Sequence, residues 1–177
     1  MVTTLIFDAV AWGALVFSYL YLFTVRGLPW PPAGYEAVPW EGAAVAASLM
    51  ALALGAGGVA RRSIMKDRRA SAAAAAVALG LLHTAAFVCL LQWMRPISAT
   101  ADAYGAVLWT LAGYALLHLA VVVLMVVYVL IAAGAGRLHG GRPLALQNTV
   151  LVGHFSAALT LGSLALIVFF PWVVGRG

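Results

Sequence analysis

The sequence predicts an all-α membrane protein, a polytopic bundle of five transmembrane helices with almost no mass outside the bilayer. Three observations carry that prediction. Of 177 residues, 65% are hydrophobic and only 8% are charged, whereas a soluble domain carries about 25% charged residues. A water-soluble fold of this length cannot hide so much apolar surface, so lipid must be the solvent. The apolar residues also fall into five runs, each close to the ~20 residues that a helix needs to cross the hydrocarbon core. Finally, all seven prolines lie between these runs or at a run's end. An interior proline removes a hydrogen bond that lipid cannot replace. The length allows a single transmembrane domain over 1–177 and leaves no room for a folded extramembrane domain.

The first span covers about 5–25. It lacks the basic region of a signal peptide, carries Asp8 instead, and is followed by no small-residue cleavage site, so it is read as a retained helix. The stiff connector Leu28-Pro29-Trp30-Pro31-Pro32 follows. The second span, about 42–60, has Ala43, Ala47, Ala51 and Gly55 at four-residue spacing, which predicts a close-packing seam. The third, about 70–94, opens with a nearly unbroken run of alanine from Ala70 to Ala76 and predicts another seam. The fourth, about 104–133, is long enough to require tilt or an overhang into water. The fifth covers about 148–172.

Charge orients the spans. The net charge is +5, but the basic residues sit in short loops, which points to membrane orientation and not to nucleic acid. Arg61, Arg62, Lys66, Arg68 and Arg69 lie in one connection, and Arg137 and Arg142 in another on the same side. Only Arg26, Arg95 and Arg176 lie opposite. The positive-inside rule makes the first group cytoplasmic, so the N-terminus is expected in the cytoplasm and the C-terminus outside. Trp30, Trp40, Trp93, Trp109 and Trp172 all map to the outer interface and predict an anchoring belt, which Trp12 does not join. The single cysteine, Cys89, permits neither an intrachain disulfide nor a thiolate metal cluster.

Ionisable groups are costly in a bilayer, so each one invites a functional hypothesis. Asp8, about one turn into the first span, either reaches interfacial water near a helix N-terminus or faces the bundle as a proton-exchanging carboxyl. His83 and His118 lie near the middle of consecutive antiparallel spans. Each is expected either as a neutral imidazole bonded to a neighbouring helix or, as a pair at matched depth, as axial ligands of a b-type haem. His154 enters its span from the same side as Asp8, and a carboxylate–imidazole pair between them would satisfy both. His139 is expected to be solvated in a loop. There is no phosphate-binding loop, nucleophile elbow or metal-protease helix, and Gly55-Ala56-Gly57-Gly58 lacks the strand that a nucleotide site requires. No catalytic or metal-ligating residue is assigned.

The fourth span reads Tyr104-Gly105-Ala106-Val107-Leu108-Trp109-Thr110-Leu111-Ala112-Gly113-Tyr114-Ala115-Leu116-Leu117-His118. This resembles the cytochrome c oxidase subunit III signature, Tyr-Gly-Ser followed by Thr-Leu-x-Gly-Phe-His-x-Leu-His. His118 falls on the second histidine, and Ala115 replaces the first. Gly153-His154-Phe155-Ser156-Ala157 stands where the family has Trp-His-Phe-Val-Asp, keeping the His-Phe pair and losing the tryptophan and aspartate. Phe7-Asp8-Ala9 and Ser18-Tyr19-Leu20-Tyr21-Leu22 resemble the family's Ser-Glu-x-x-x-Phe start and aromatic end, with Asp8 in place of a buried glutamate. Pro31-Pro32 and Ser48 resemble positions leading into the next helix. The likeness covers most of the chain, and five helices suit the short bacterial form of the family.

That resemblance implies a non-catalytic subunit of a respiratory haem–copper terminal oxidase in the bacterial cytoplasmic membrane. Such a subunit binds no cofactor itself, the haem and copper belonging to the partner. It packs against oxidase catalytic subunit I and other oxidase subunits, binds membrane phospholipid and supports proton uptake on the cytoplasmic side during aerobic electron transport. It further implies that Asp8, His118 and His154 serve the subunit's interior or protonation near that entrance. Two alternatives stand beside it: a homologue attached to a nitric oxide reductase system, and a small b-type cytochrome using His83 and His118.

Overall fold

A computed structural model describes residues 1–32 and 40–175. Every regular element among them is helical: α1 (Val2–Arg26), α2 (Trp40–Met65), α3 (Arg69–Met94), α4 (Ala103–Gly134) and α5 (Leu144–Leu164). The last continues through a π-helical turn (Ala165–Phe169) into the short α6 (Phe170–Val174). Counting α5 to α6 as one rod, five helices are long and apolar enough to cross a membrane, as expected of a multi-pass membrane protein. The expected spans are all present, each extended by a few residues. Arg61 and Arg62 belong to the last turns of α2, because a helix that leaves the hydrocarbon continues readily through long basic side chains. Pro39 and Arg176 lie outside the described residues.

The helix ends follow from local chemistry. Asp102 caps α4, its Oδ1 accepting the Gly105 N–H at 2.9 Å, and its Oδ2 lies 3.5 Å from Arg26 at the end of α1. Gly27 ends α1 with φ +66°, a conformation glycine adopts without a Cβ penalty. The π turn coincides with Pro171, which cannot donate to the carbonyl of Ile167, and so the helix widens there.

Helices α2, α3, α4 and α5 pack as a ring in which each touches the next and α5 returns to α2. Helix α1 lies outside this ring, mainly against α4 and secondarily against α5. Its buried side chain is Tyr19, and Ile6, Phe7, Val10, Phe17 and Tyr21 are exposed. The α2 seam differs from the one anticipated. The buried residues are Ala43, Ala46, Met50, Ala53, Gly57, Ala60, Ser63 and Ile64, while Ala51 and Gly55 face outward. Strict four-residue steps drift around a helix with 3.6 residues per turn, whereas alternating steps of three and four stay on one face. The α3 alanine seam is present in Ala72, Ala75 and Ala76.

At one end of the bundle, Trp30 is buried among Tyr19, Phe23, Tyr104 and Phe170. Its ring centroid lies 5.5 Å from Tyr19 and 4.9 Å from Tyr104, both near-perpendicular. Its indole N–H donates to the Tyr19 hydroxyl at 3.0 Å. Trp30 thus ties α1 to α4 from inside the protein, while Phe170 of α6 packs directly on Tyr19 and Phe23 of α1. Trp40 and Trp172 at the same end are exposed, as a belt requires. At the opposite end the two basic connections meet. Asp67 Oδ1 accepts the Gly140 N–H at 3.0 Å and the Arg69 Nε–H at 3.2 Å.

Candidate functional site

Four residues were singled out from sequence: Asp8, His83, His118 and His154. The structure brings two of them together. Asp8 on α1 and His118 on α4 face each other, with Oδ2 3.6 Å from Nε2. Tyr114, one turn before His118 and therefore on the same face, completes the group. Its hydroxyl donates to the Asp8 backbone carbonyl at 3.0 Å and lies 3.3 Å from Asp8 Oδ1. The His118 ring stacks obliquely on Tyr114, with centroids 4.6 Å apart, and meets Phe155 of α5 at 5.8 Å.

Hydrogen bonding fixes the protons. His118 Nδ1 lies 2.9 Å from the Tyr114 carbonyl, which can only accept, so Nδ1 carries a hydrogen. In that tautomer Nε2 faces the Asp8 carboxyl across 3.6 Å, and the two side chains form an ion pair when the imidazole is protonated.

Beside the pair lies a cavity of about 270 Å³ lined by Thr4, Asp8, Tyr114, His118 and Val121. A second, of about 340 Å³, lies farther along α4 against Tyr128, Asn148 and Thr149. Both are lined by Met1, Val121 and Met125. Together they trace a groove along α4 from the start of α5, at the basic-loop end, to the carboxyl–imidazole pair.

His154 does not join Asp8. Its Nε2–H donates to the Leu54 carbonyl of α2 at 3.2 Å, on a side of α5 turned away from α1. The approach needs Gly57, since a Cβ there would stand 2.9 Å from that nitrogen. His83 is fully buried and bonds within its own helix, Nδ1–H to the Leu79 carbonyl at 2.9 Å, with Cε1 turned toward Gly153 of α5. His83 and His118 therefore address different neighbours, α5 for the first and α1 for the second. Among the described residues, no group of three or more His, Cys, Asp or Glu side chains is placed to hold a metal.

The chain matches no family model and no curated protein.

Tyr114 was the residue that sequence reasoning missed. Its signal was the i, i+4 step to His118, which sets a phenol one turn beneath an imidazole on the same face of the helix.

Proposed function

We propose that this chain is a subunit III-like component of a respiratory haem–copper terminal oxidase in a bacterial cytoplasmic membrane. It stabilises the catalytic subunit and supports proton uptake. The reading rests on one observation above the others: Asp8 and His118, which stand at the resemblance's buried glutamate and second histidine, face each other across 3.6 Å. Nothing in sequence spacing alone required residues 110 positions apart to meet.

The groove along α4 supports the proton role. It runs toward the end of the bundle that carries the basic connections, which the positive-inside rule assigns to the cytoplasm. The N-terminus is then inside and the C-terminus outside. A proton arriving from that side reaches Asp8 and His118 without crossing the bundle. An apolar groove of about 490 Å³ between α2 and the π turn, flanked by the exposed Trp40 and Trp172, suits the acyl chain of a membrane phospholipid. Haem and copper would sit in the partner catalytic subunit.

The nitric oxide reductase alternative shares every one of these features and differs only in the partner. The b-type cytochrome alternative has less support, because an axial histidine needs a free nitrogen for iron and His118 Nε2 already faces a carboxylate. Extraction in a mild detergent, followed by mass identification of the accompanying catalytic subunit, tests the proposal. A haem–copper oxidase subunit is expected. Isolation without any oxidase or reductase companion removes the reading, and a haem absorption band in the chain alone that is lost in His83→Ala favours the cytochrome.

A further inference from the structure

The two basic connections, 61–69 and 135–143, do more than share an end of the bundle. They are fastened to each other. Leu138 is buried and anchors the α4–α5 connection in the protein. Two residues on, the Gly140 N–H reaches Asp67 Oδ1 at 3.0 Å. Gly140 also packs closely on the end of α2, since a Cβ there would stand 3.3 Å from the Ile64 carbonyl oxygen. Gln147, in the first turn of α5, donates to the Met65 sulfur at 3.4 Å. The cations of both connections are therefore carried on one braced surface.

The charge on that surface is one-sided. Asp67 is the sole acidic residue in the two connections, and it is taken up by Gly140 and by Arg69. Arg61, Arg62, Lys66, Arg68, Arg137 and Arg142 are exposed. Among the described residues, none of their side chains has a hydrogen-bond or ion-pair partner. Like charges held together repel one another, so a surface of this kind favours an anion from outside the chain.

Depth and company point to the source of that anion. Arg61 and Arg62 belong to the last turns of α2, Arg69 opens α3, and Arg142 stands two residues before α5. These cations lie at the very ends of the apolar helices, where a bilayer has its headgroups. Met65 and Leu144, both large and apolar, are exposed among them. A surface turned to water gains nothing from such side chains. A surface lying in the headgroup layer sinks them into the acyl boundary while its long basic side chains reach the phosphates. Clusters of about four to eight Lys or Arg directly beside a membrane span are the pattern that anionic lipids recognise.

We propose that this braced basic end binds anionic phospholipid headgroups in preference to zwitterionic ones, and that the Asp67–Gly140 link sets the spacing of its cations. Phosphate oxygens accept from the guanidinium forks, a pairing that favours arginine. The proposal does not depend on the oxidase reading. It concerns the opposite end of the molecule from the apolar groove beside Trp40 and Trp172.

The test uses the full chain in nanodiscs of equal parts phosphatidylglycerol and phosphatidylcholine. The discs are dissolved in mild detergent, and the lipids that stay with the protein are counted by native mass spectrometry. The retained lipids are expected to be several-fold richer in phosphatidylglycerol than the disc. Arg137→Gln combined with Arg142→Gln should bring the ratio toward that of the disc, whereas Arg95→Gln, at the other end of the bundle, should leave it unchanged. Asp67→Ala separates a built surface from diffuse attraction. It removes a negative charge, so attraction by net charge alone would rise, but release of the Gly140 loop should lower the enrichment. Should Asp67→Ala fail to fold, the double arginine variant, which leaves the link intact, still decides whether the surface selects lipid. Retained lipids at the disc ratio in the parent overturn the proposal and leave the surface to an acidic protein segment. Enrichment that is unchanged or higher in Asp67→Ala overturns the part played by the link.

Discussion

The carboxyl of Asp8 and the imidazole of His118 stand 3.6 Å apart on two helices that touch along only part of their length. If the pair shares a proton, its members are energetically coupled. A double-mutant cycle with Asp8→Ala and His118→Ala should give a coupling between the membrane-helix average of about 0.6 and its maximum of about 1.7 kcal/mol. Thermal unfolding in detergent measures it. Additive single-mutant effects would mean that the two groups merely lie close together. If the chain serves a haem–copper oxidase as proposed, either variant is expected to slow proton uptake by that complex and leave its haem spectrum unchanged.

Gly57 is expected to tolerate no added side chain. A Cβ there falls 2.9 Å from His154 Nε2 and 3.3 Å from Val150, and overpacking of this kind costs about 1–3 kcal/mol. Gly57→Ala should lower Tm, and adding His154→Ala should restore part of the loss by making room. A Gly57→Ala protein as stable as its parent would show that α2 and α5 can separate at no cost.

The Asp67 link between the basic connections should fail in acid. The Arg69 guanidinium, and then the Gly140 N–H, hold the Asp67 carboxyl below its ordinary value of 3.8. A depressed folded-state pKa contributes stability that is present above the unfolded value and lost as pH falls through the lowered one. Loop docking is therefore expected to hold at neutral pH and to loosen below about 3.8. Asp67→Asn should loosen it at every pH. Limited proteolysis after Arg137, followed across pH, reads this directly. Equal cleavage of parent and variant at neutral pH would count against the link.

Trp30 should behave unlike the other tryptophans at its end of the molecule. It is 4% exposed, whereas Trp40 and Trp172 are more than half exposed. Brominated lipids should quench Trp40 and Trp172 and leave Trp30 fluorescent, as single-tryptophan variants would reveal. Trp30→Ala should cost about 3–5 kcal/mol, as expected for removing a buried aromatic side chain.

Much of the fold was legible in the sequence because lipid imposes a length and forbids interior prolines, and both leave plain marks in a single chain. The site was legible only in part. Asp8 and His118 stood out because charge is rare in these helices, but their pairing did not. Asp8 was matched with His154 on the ground of shared depth, and depth says nothing about which way a helix is rotated. Rotation also decided the α2 seam, where Ala51 and Gly55 looked like packing residues and Ala46 and Gly57 were. The buried hydroxyl residues of α5, Thr149, Ser156, Thr160 and Ser163, passed unnoticed for a simpler reason: serine and threonine are common in any helix, and only their four–three rhythm through Gly153 sets them apart.

Helix α1 stands outside the ring and carries one member of the Asp8–His118 pair. The gap between Asp8 and His118 is therefore governed by how a peripheral rod leans on α4, and not by the rigid interior. A body pressing on the outward row of Phe7, Val10 and Phe17 bears on that lean, so contact at the periphery and the spacing of the two side chains within are mechanically one variable.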